Sequence, residues 1–261
     1  KEQNIRMNIN HLGEAVLGES EAKERLKTYI QDMEDPAVEY ISVKISTIYS
    51  QISSLAFDDT VKVLKKRLTT LYRAAMNNCF IRNNGEKVMK FVNLDMEEYR
   101  DLEITVEAFI QTLDQEELKD YSAGIVLQTY LPDSHNIQKR LTDWAKNRIK
   151  DEGPPIKLRI VKGANMEMEM LESSLFNRPL ATYDNKLDVD ANYKKMIAYG
   201  MDPENIKAVN LGIASHNLFE LAYAFNLAKE NQVEKYFSFE MLEGMADHVR
   251  RALCETSGDV L

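Results

Sequence analysis

Short apolar runs alternate along the whole chain with longer segments whose apolar residues recur every three or four positions. The apolar runs, which predict β-strands, cover residues 5–10, 40–45, 90–94, 124–128, 156–161, 207–213 and 236–239. The periodic segments, which predict amphipathic helices, include residues 58–78, 97–113, 135–150, 188–199 and 218–228. An eighth strand is predicted to begin at Val260. Alternating strands and helices predict a parallel sheet.

The strand runs are continuously apolar, as is typical of parallel strands that are buried on both faces. Either a (β/α)8 barrel or an open doubly wound sheet is compatible with this pattern. No GxGxxG or GxxxxGK[ST] motif follows any strand, which argues against the common nucleotide-binding open sheets. We therefore predict an α/β fold, a (β/α)8 TIM-type barrel that forms one domain over residues 1–261. We expect the chain to be truncated before the eighth strand and the last helix are complete.

Composition narrows the possible partners. Hydrophobic residues make up 44% of the chain and charged residues 29%, which is typical of a soluble globular protein and excludes a wholly disordered one. The net charge of −9, without a basic block, argues against a nucleic-acid binder. Two cysteines, Cys79 and Cys254, are too few for a disulfide framework and favour a reducing cytoplasm. No pair of histidines has zinc-site spacing, so we expect no metal.

In a TIM-type barrel the functional residues lie at the carboxyl ends of the strands and in the loops that follow them. The polar residues at these positions are Lys44, Asp95, Glu97, Gln128, Arg159, Lys162, Lys186, His216, Asn217, Glu240 and Glu243. Asp95 could cap the next helix, pair with Lys44 or bind a ligand. Lys44 interrupts an apolar strand and therefore needs an anionic partner or ligand.

The strongest single signal is the run from Arg159 to Ala164. Two cations, followed by a glycine that permits a tight turn before a helix, suit a phosphate or a reduced, anionic ring. The alternative is that Arg159 pairs with a carboxylate on a neighbouring strand. His216 and Asn217 either bind a ligand or merely cap a helix. Met166, Met168 and Met170 are interpreted as packing residues.

Taken together, these motifs resemble the proline dehydrogenase domain of bifunctional proline utilization A proteins. The matching stretches occur in the family's order and cover nearly the whole chain. They are Leu12-Gly13-Glu14-Ala15, Ser42-Val43-Lys44-Ile45-Ser46, Asn93-Leu94-Asp95-Met96-Glu97, Gly124-Ile125-Val126-Leu127-Gln128, Arg159-Ile160-Val161-Lys162-Gly163-Ala164, Lys186 with Asp190, Ala214-Ser215-His216-Asn217 and Leu242-Glu243-Gly244-Met245.

The resemblance implies an FAD-dependent enzyme that oxidises L-proline to Δ1-pyrroline-5-carboxylate by hydride transfer to flavin N5. This is the first step of proline catabolism to glutamate, and the electrons pass to a membrane quinone. It also implies a cytoplasmic location, peripheral on the inner membrane, and an aldehyde dehydrogenase domain in the parent chain.

By the same resemblance, each strand-end residue receives a role. The implied catalytic residues are Lys44, Asp95 and Arg159. The implied cofactor-binding residues are Asp95, Met96, Gln128, Arg159, Val161, Lys162, Gly163, Ala164, Lys186, His216, Asn217 and Glu240. The implied substrate-side residues are Lys44, Asn165 and Leu242.

This sequence departs from the family's pattern at three places. Asn165 stands where an aromatic residue is usual, and Glu240 where many members have glutamine. Arg250-Arg251 precedes the eighth strand and is not the arginine pair that grips the substrate carboxylate in the family. Two other functions stay open: a Schiff-base aldolase or lyase that uses Lys44 or Lys162 as nucleophile, and a non-catalytic barrel.

Overall fold

The computed structural model describes residues 6–11, 13, 16–257 and 260–261. Contacts divide these residues into two compact units, one formed by residues 7–125 and the other by Arg6 with residues 126–261. Ile5, where the first strand is predicted to begin, and the motif residues Leu12, Glu14 and Ala15 lie outside the described residues. Each unit is built from parallel strands and helices.

The unit of residues 7–125 carries the first strands. Its elements are β1 (Asn8–Asn10), α1 (Glu19–Glu34), β2 (Tyr40–Lys44), α2 (Ile45–Ile48), α3 (Phe57–Asn77), β3 (Cys79–Ile81), β4 (Lys87–Met89), β5 (Phe91–Asp95), α4 (Leu102–Leu113) and the start of β6 (Gly124–Gln128). Strands β1, β2, β5 and β6 are neighbours in that order and run parallel. Lys44 and Asp95 are register partners at the ends of β2 and β5.

The unit of residues 126–261 contains the end of β6 and the later elements. These are α5 (Ser134–Lys150), β7 (Ile156–Val161), α6 (Met166–Leu175), α7 (Lys186–Gly200), α8 (Pro203–Ile206), β8 (Val209–Ala214), α9 (Leu218–Asn231), β9 (Phe237–Glu240) and α10 (Asp247–Ser257). Strands β6, β7, β8 and β9 are neighbours in that order, and β7, β8 and β9 pair in parallel. Val260 forms a parallel bridge with Phe239, at the position where the eighth strand is predicted to begin.

The observed bounds show where the pattern was misleading. The predicted helix over residues 97–113 begins only at Leu102, after a 3-10 turn, so Asp95 does not cap α4. The strand predicted over residues 207–213 begins at Val209, because Asp202 and Pro203 start the short helix α8. Helix α1 and the antiparallel pair β3–β4 were not predicted.

Helix α6 exposes most of its apolar side chains. Met168 and Met170 are 55% and 54% exposed, so the packing interpretation is wrong for these two residues of α6. The buried residue on that helix is Glu169. Among the helices of the described residues, none combines the length and the apolar character that a bilayer crossing requires.

Candidate functional site

Arg159 lies near the end of β7 within a buried group of three charges. Its Nε donates to Glu240 of β9, and Nζ of Lys157 lies 2.6 Å from the other oxygen of that carboxylate. The Arg159 side chain is 10% exposed and that of Glu240 is 6% exposed. Burial would raise the pKa of the Glu240 carboxyl, but the charges of Lys157 and Arg159 hold the pKa below its ordinary value. Arg159 thus pairs with a carboxylate of the same sheet, but this carboxylate lies on β9, one strand beyond the neighbouring strand β8 on which the alternative had placed it.

Lys162, just beyond β7, is held by two carboxylates. Its Nζ lies 2.6 Å from Asp190 and 2.5 Å from Glu220, whose side chain is 2% exposed. The other oxygen of Glu220 accepts from the Ser215 hydroxyl at 2.6 Å. Burial alone would lower the pKa of Lys162, but the hydrogen bonds from Asp190 and Glu220 raise it above its ordinary value. The ammonium group is therefore a fixed cation at neutral pH.

Lys186 is joined to the same network through Asp190, one turn further along α7. Burial works to raise the pKa of Asp190, but the two lysines hold it below its ordinary value. Helix α7 begins here because the Asn185 side chain accepts from the backbone N–H of Asp188 at 2.9 Å. Lys162 and Lys186, separate in the sequence, are thus brought together by one carboxylate.

The turn after β7 requires glycine. Gly163 has φ of +119°, and a Cβ built on it would lie 2.6 Å from the ring of Tyr130. The Tyr130 backbone N–H donates to the carbonyl of Lys162 at 2.8 Å, which holds the ring against the glycine. Ala164 is exposed, and Asn165 precedes α6 as its N-cap residue without a capping side-chain bond. The predicted tight turn is confirmed.

His216 and Asn217 follow β8 and have different contacts. The Asn217 side chain accepts from the backbone N–H of Phe219 at 2.9 Å, so it caps α9 as the capping alternative predicted. Nε2 of His216 accepts from the backbone N–H of Leu242 at 3.3 Å. In the neutral imidazole the proton is therefore on Nδ1, which is buried and has no hydrogen-bond partner among the described residues. The Leu242 side chain is 66% exposed.

Gln128 ends β6 in a buried position. Its main-chain carbonyl accepts a hydrogen bond from the Ser134 hydroxyl at 2.6 Å, which fixes the start of α5 against the strand end. The carbonyl of Val161 accepts from the backbone N–H of Thr129 at 2.8 Å. These contacts fix the backbone at Gln128 and Val161. Any ligand contact at either residue would depend on that backbone position.

In the unit of residues 7–125, the residues predicted at the ends of β2 and β5 also make polar contacts. Lys44 Nζ lies 2.5 Å from Glu97, and the Ser46 hydroxyl donates to the same carboxylate at 2.6 Å. Asp95 accepts from the side-chain amides of Asn10 and Asn93, each at 3.1 Å. Met96 is buried directly after the strand.

Sequence reasoning missed three residues that hold the predicted ones, Lys157, Glu220 and Ser215. It identified Glu97 but not its pairing with Lys44. Lys157 could have been found, because it lies two residues before Arg159 and therefore on the same face of β7. Glu220 gave no comparable signal, since its meeting with Lys162 depends on how α9 packs.

The residues near the ends of β7, β8 and β9 offer hydrogen-bond donors of the kind that suit a flavin. Two fixed cations suit its phosphates and the negative charge of its reduced ring, and the Nδ1–H of His216 is a buried donor without a partner among the described residues. Over the same described residues, no group of three or more metal-binding side chains is present.

An arrangement of parallel strands with charged and polar side chains at their carboxyl ends defines the chain as an α/β protein of the TIM-barrel class. Within that class, the sequence profile described as proline dehydrogenase matches residues 1–261, so the chain belongs to the proline dehydrogenase family. It is 27% identical over 253 residues to "Proline dehydrogenase 2" of Bacillus subtilis strain 168, covering 96% of this chain and 70% of that protein.

Solved structures agree with the family. The chain is similar to proline utilization A (PutA) from Corynebacterium freiburgense, with a TM-score of 0.92 and 42% identity over 99% of this chain and 26% of that one. It is also similar to PutA from Bdellovibrio bacteriovorus inactivated by N-propargylglycine, with a TM-score of 0.88 and 32% identity over 99% of this chain and 28% of that one. The chain thus spans about a quarter of these PutA chains, and the predicted fold class is confirmed.

Proposed function

We propose that this chain binds FAD and catalyses the oxidation of L-proline to Δ1-pyrroline-5-carboxylate. The proposal rests on one observation, the match of the proline dehydrogenase family over residues 1–261. In this reaction L-proline loses two electrons and two protons, one hydrogen from the ring nitrogen and one from the adjacent carbon, and a C=N bond forms. We propose that a membrane quinone finally takes up both electrons and two protons and becomes a quinol.

When bound, the flavin supplies a two-electron acceptor whose ring gains negative charge on reduction. The residues of β7 suit that charge, because Arg159 is a permanent cation in a buried place. Lys162 is kept protonated by Asp190 and Glu220. We propose that these two cations stabilise the reduced state of the cofactor.

The remaining roles follow strand by strand as proposals. Gln128, Val161, Gly163 and Ala164 would line the ring, and Lys186, His216 and Asn217 the ribityl chain, pyrophosphate and adenine. Met96 and Glu240 would complete the cofactor side. On the substrate side, Lys44 and Asp95 would lie under proline, with Asn165 and Leu242 at its apolar ring. Lys44 is already fixed for such a role by Glu97 at 2.5 Å.

Partners and location are part of the same proposal. Quinone reduction would bring a cytoplasmic protein to the inner membrane as a peripheral partner. The PutA matches support an aldehyde dehydrogenase domain in the parent chain, which would receive the product of proline oxidation.

The test is an anaerobic visible spectrum of the purified protein loaded with FAD, before and after L-proline is added. We expect a bound-flavin spectrum that bleaches in proportion to the proline consumed. Arg159→Met should slow bleaching by about 100-fold or more, the usual effect of removing one stabilising donor. The control Lys207→Met changes an exposed lysine that bonds Glu204, and it should bleach like the wild type.

The competing Schiff-base function is disfavoured at Lys162, because a nucleophilic amine needs a lowered pKa and this one is raised. A protein that takes up no FAD would refute the flavoenzyme. Borohydride trapping of a carbonyl substrate on Lys44 or Lys162 would then identify the lyase, and failure of both tests would leave the non-catalytic barrel.

A further inference from the structure

Three strands of the unit of residues 126–261 bring two cations and one carboxylate into contact across a glycine. Arg159 of β7 is the register partner of Gly212 of β8, and Ala214 of β8 is the partner of Glu240 of β9. A Cβ at Gly212 would lie 2.1 Å from Oε1 of Glu240 and 3.0 Å from Cε of Lys157. The absence of a side chain on β8 is therefore what lets residues from β7 and β9 meet. We call Lys157, Arg159 and Glu240 the buried triad.

Every member of the buried triad makes at least one polar contact with another member. Glu240 accepts from Nε of Arg159, and its other oxygen lies 2.6 Å from Nζ of Lys157. Lys157 also donates to the Ser238 hydroxyl at 3.0 Å, and its side chain is 15% exposed. Burial lowers the pKa of Lys157 more than the carboxylate raises it. The three ionised groups together carry one positive charge.

Such a group contributes little to stability, because the cost of removing charges from water offsets most of their attraction. What it does provide is a fixed side-chain geometry and a fixed local charge. Both act on Arg159, the member of the triad that the proposed function assigns to stabilising the reduced ring. The carboxylate holds the guanidinium through Nε and offsets part of its charge, while Lys157 restores the positive balance.

We propose that Glu240 is a positioning residue for Arg159, and that Lys157 acts through Glu240 to set the net charge that the triad presents to the flavin. This inference rests on the proposed function. It predicts that the reduction potential of bound FAD follows the summed charge of the triad, one positive charge in the wild type, up to two in Glu240→Gln and none in Lys157→Met. The double variant returns the sum to one.

The test measures the two-electron potential of FAD bound to the purified protein and to these three variants. Glu240→Gln should favour reduced over oxidised FAD at least tenfold more than the wild type, which is about 30 mV more positive. Lys157→Met should shift the potential in the opposite direction, and the double variant should return to within about twofold of the wild-type ratio. A control variant, Glu39→Gln, removes a buried carboxylate that bonds Arg82 at 2.8 Å and should leave the potential unchanged.

A merely structural triad gives a different result, because both single variants would loosen the site and shift the potential in the same direction. Three results would overturn the inference while leaving proline oxidation intact. They are shifts in the same direction in both single variants, equal potentials in all variants, and a double variant whose potential does not return to the wild-type value. If Glu240→Gln fails to fold, Lys157→Met and the double variant still decide between a triad that sets the local charge and a merely structural one. A wild-type protein that binds no FAD would refute the proposed function and this inference with it.

Discussion

Gly163 offers a direct test of how the structure positions the loop after β7. The substitution Gly163→Ala places a Cβ 2.6 Å from the Tyr130 ring, at a backbone φ of +119° that side chains rarely adopt. A strained backbone of this kind costs about 1–3 kcal/mol. Forcing an extra carbon into a packed contact costs about 1–3 kcal/mol more. The expected loss in the free energy of unfolding is therefore roughly 2–6 kcal/mol.

Two other glycines separate these contributions. Gly85 has φ of +83° with nothing within 4 Å of an added Cβ, so Gly85→Ala should show the backbone strain alone, about 1–3 kcal/mol. Gly18 has neither a positive φ nor a close neighbour, but it is the N-cap residue of α1, so Gly18→Ala should cost only the poorer capping by alanine, about 1 kcal/mol. Urea unfolding followed by circular dichroism gives all three values. A Gly163→Ala loss no larger than that of Gly85→Ala would refute the close approach of Tyr130.

Three further predictions concern single side chains. Glu220→Gln should cost about 1–3 kcal/mol at neutral pH, because Lys162 loses one of two carboxylates. The pKa of Lys162 is raised in the folded protein, so the stability that its pairing contributes is fully present below the ordinary lysine pKa of 10.5 and is lost as the pH rises through the folded pKa. The stabilities of the variant and the wild type should therefore converge in urea titrations at alkaline pH. Asn217→Ala should cost about 1 kcal/mol in thermal unfolding, because α9 loses its cap, and an unchanged Tm would contradict the capping role. Tyr72→Phe should be neutral or stabilising by about 1 kcal/mol in urea, because the Tyr72 hydroxyl is buried with no hydrogen-bond partner among the described residues; a clear loss of stability would show that the hydroxyl is bonded.

The central strands could be predicted from sequence because burial on both faces leaves a local signature. Strands β6 and β7 occur at the predicted bounds, 124–128 and 156–161, since each is a continuous apolar run. The hairpin of β3 and β4 has strands of three residues, too short to give a period. Its turn did carry a signal, Asn84-Gly85, which is typical of tight hairpin turns.

The candidate site could be predicted only as far as residue type and strand position go. Arg159 and Lys162 were identifiable because cations at a strand end are unusual. Their partners were not, because Glu240 lies 81 residues from Arg159 and reaches it across β8. The same reason explains Lys44, whose carboxylate partner is Glu97, 53 residues away. Long-range pairs depend on register, which periodicity does not report.

The missing side chain at position 212 imposes an order on how this protein can change. Any larger residue there collides first with Glu240 and then with Lys157. A lineage that acquires a side chain at 212 must therefore also move or shorten the side chain at 240, so these two positions are expected to change together. The space above one glycine thus couples the evolution of the two neighbouring strands β8 and β9.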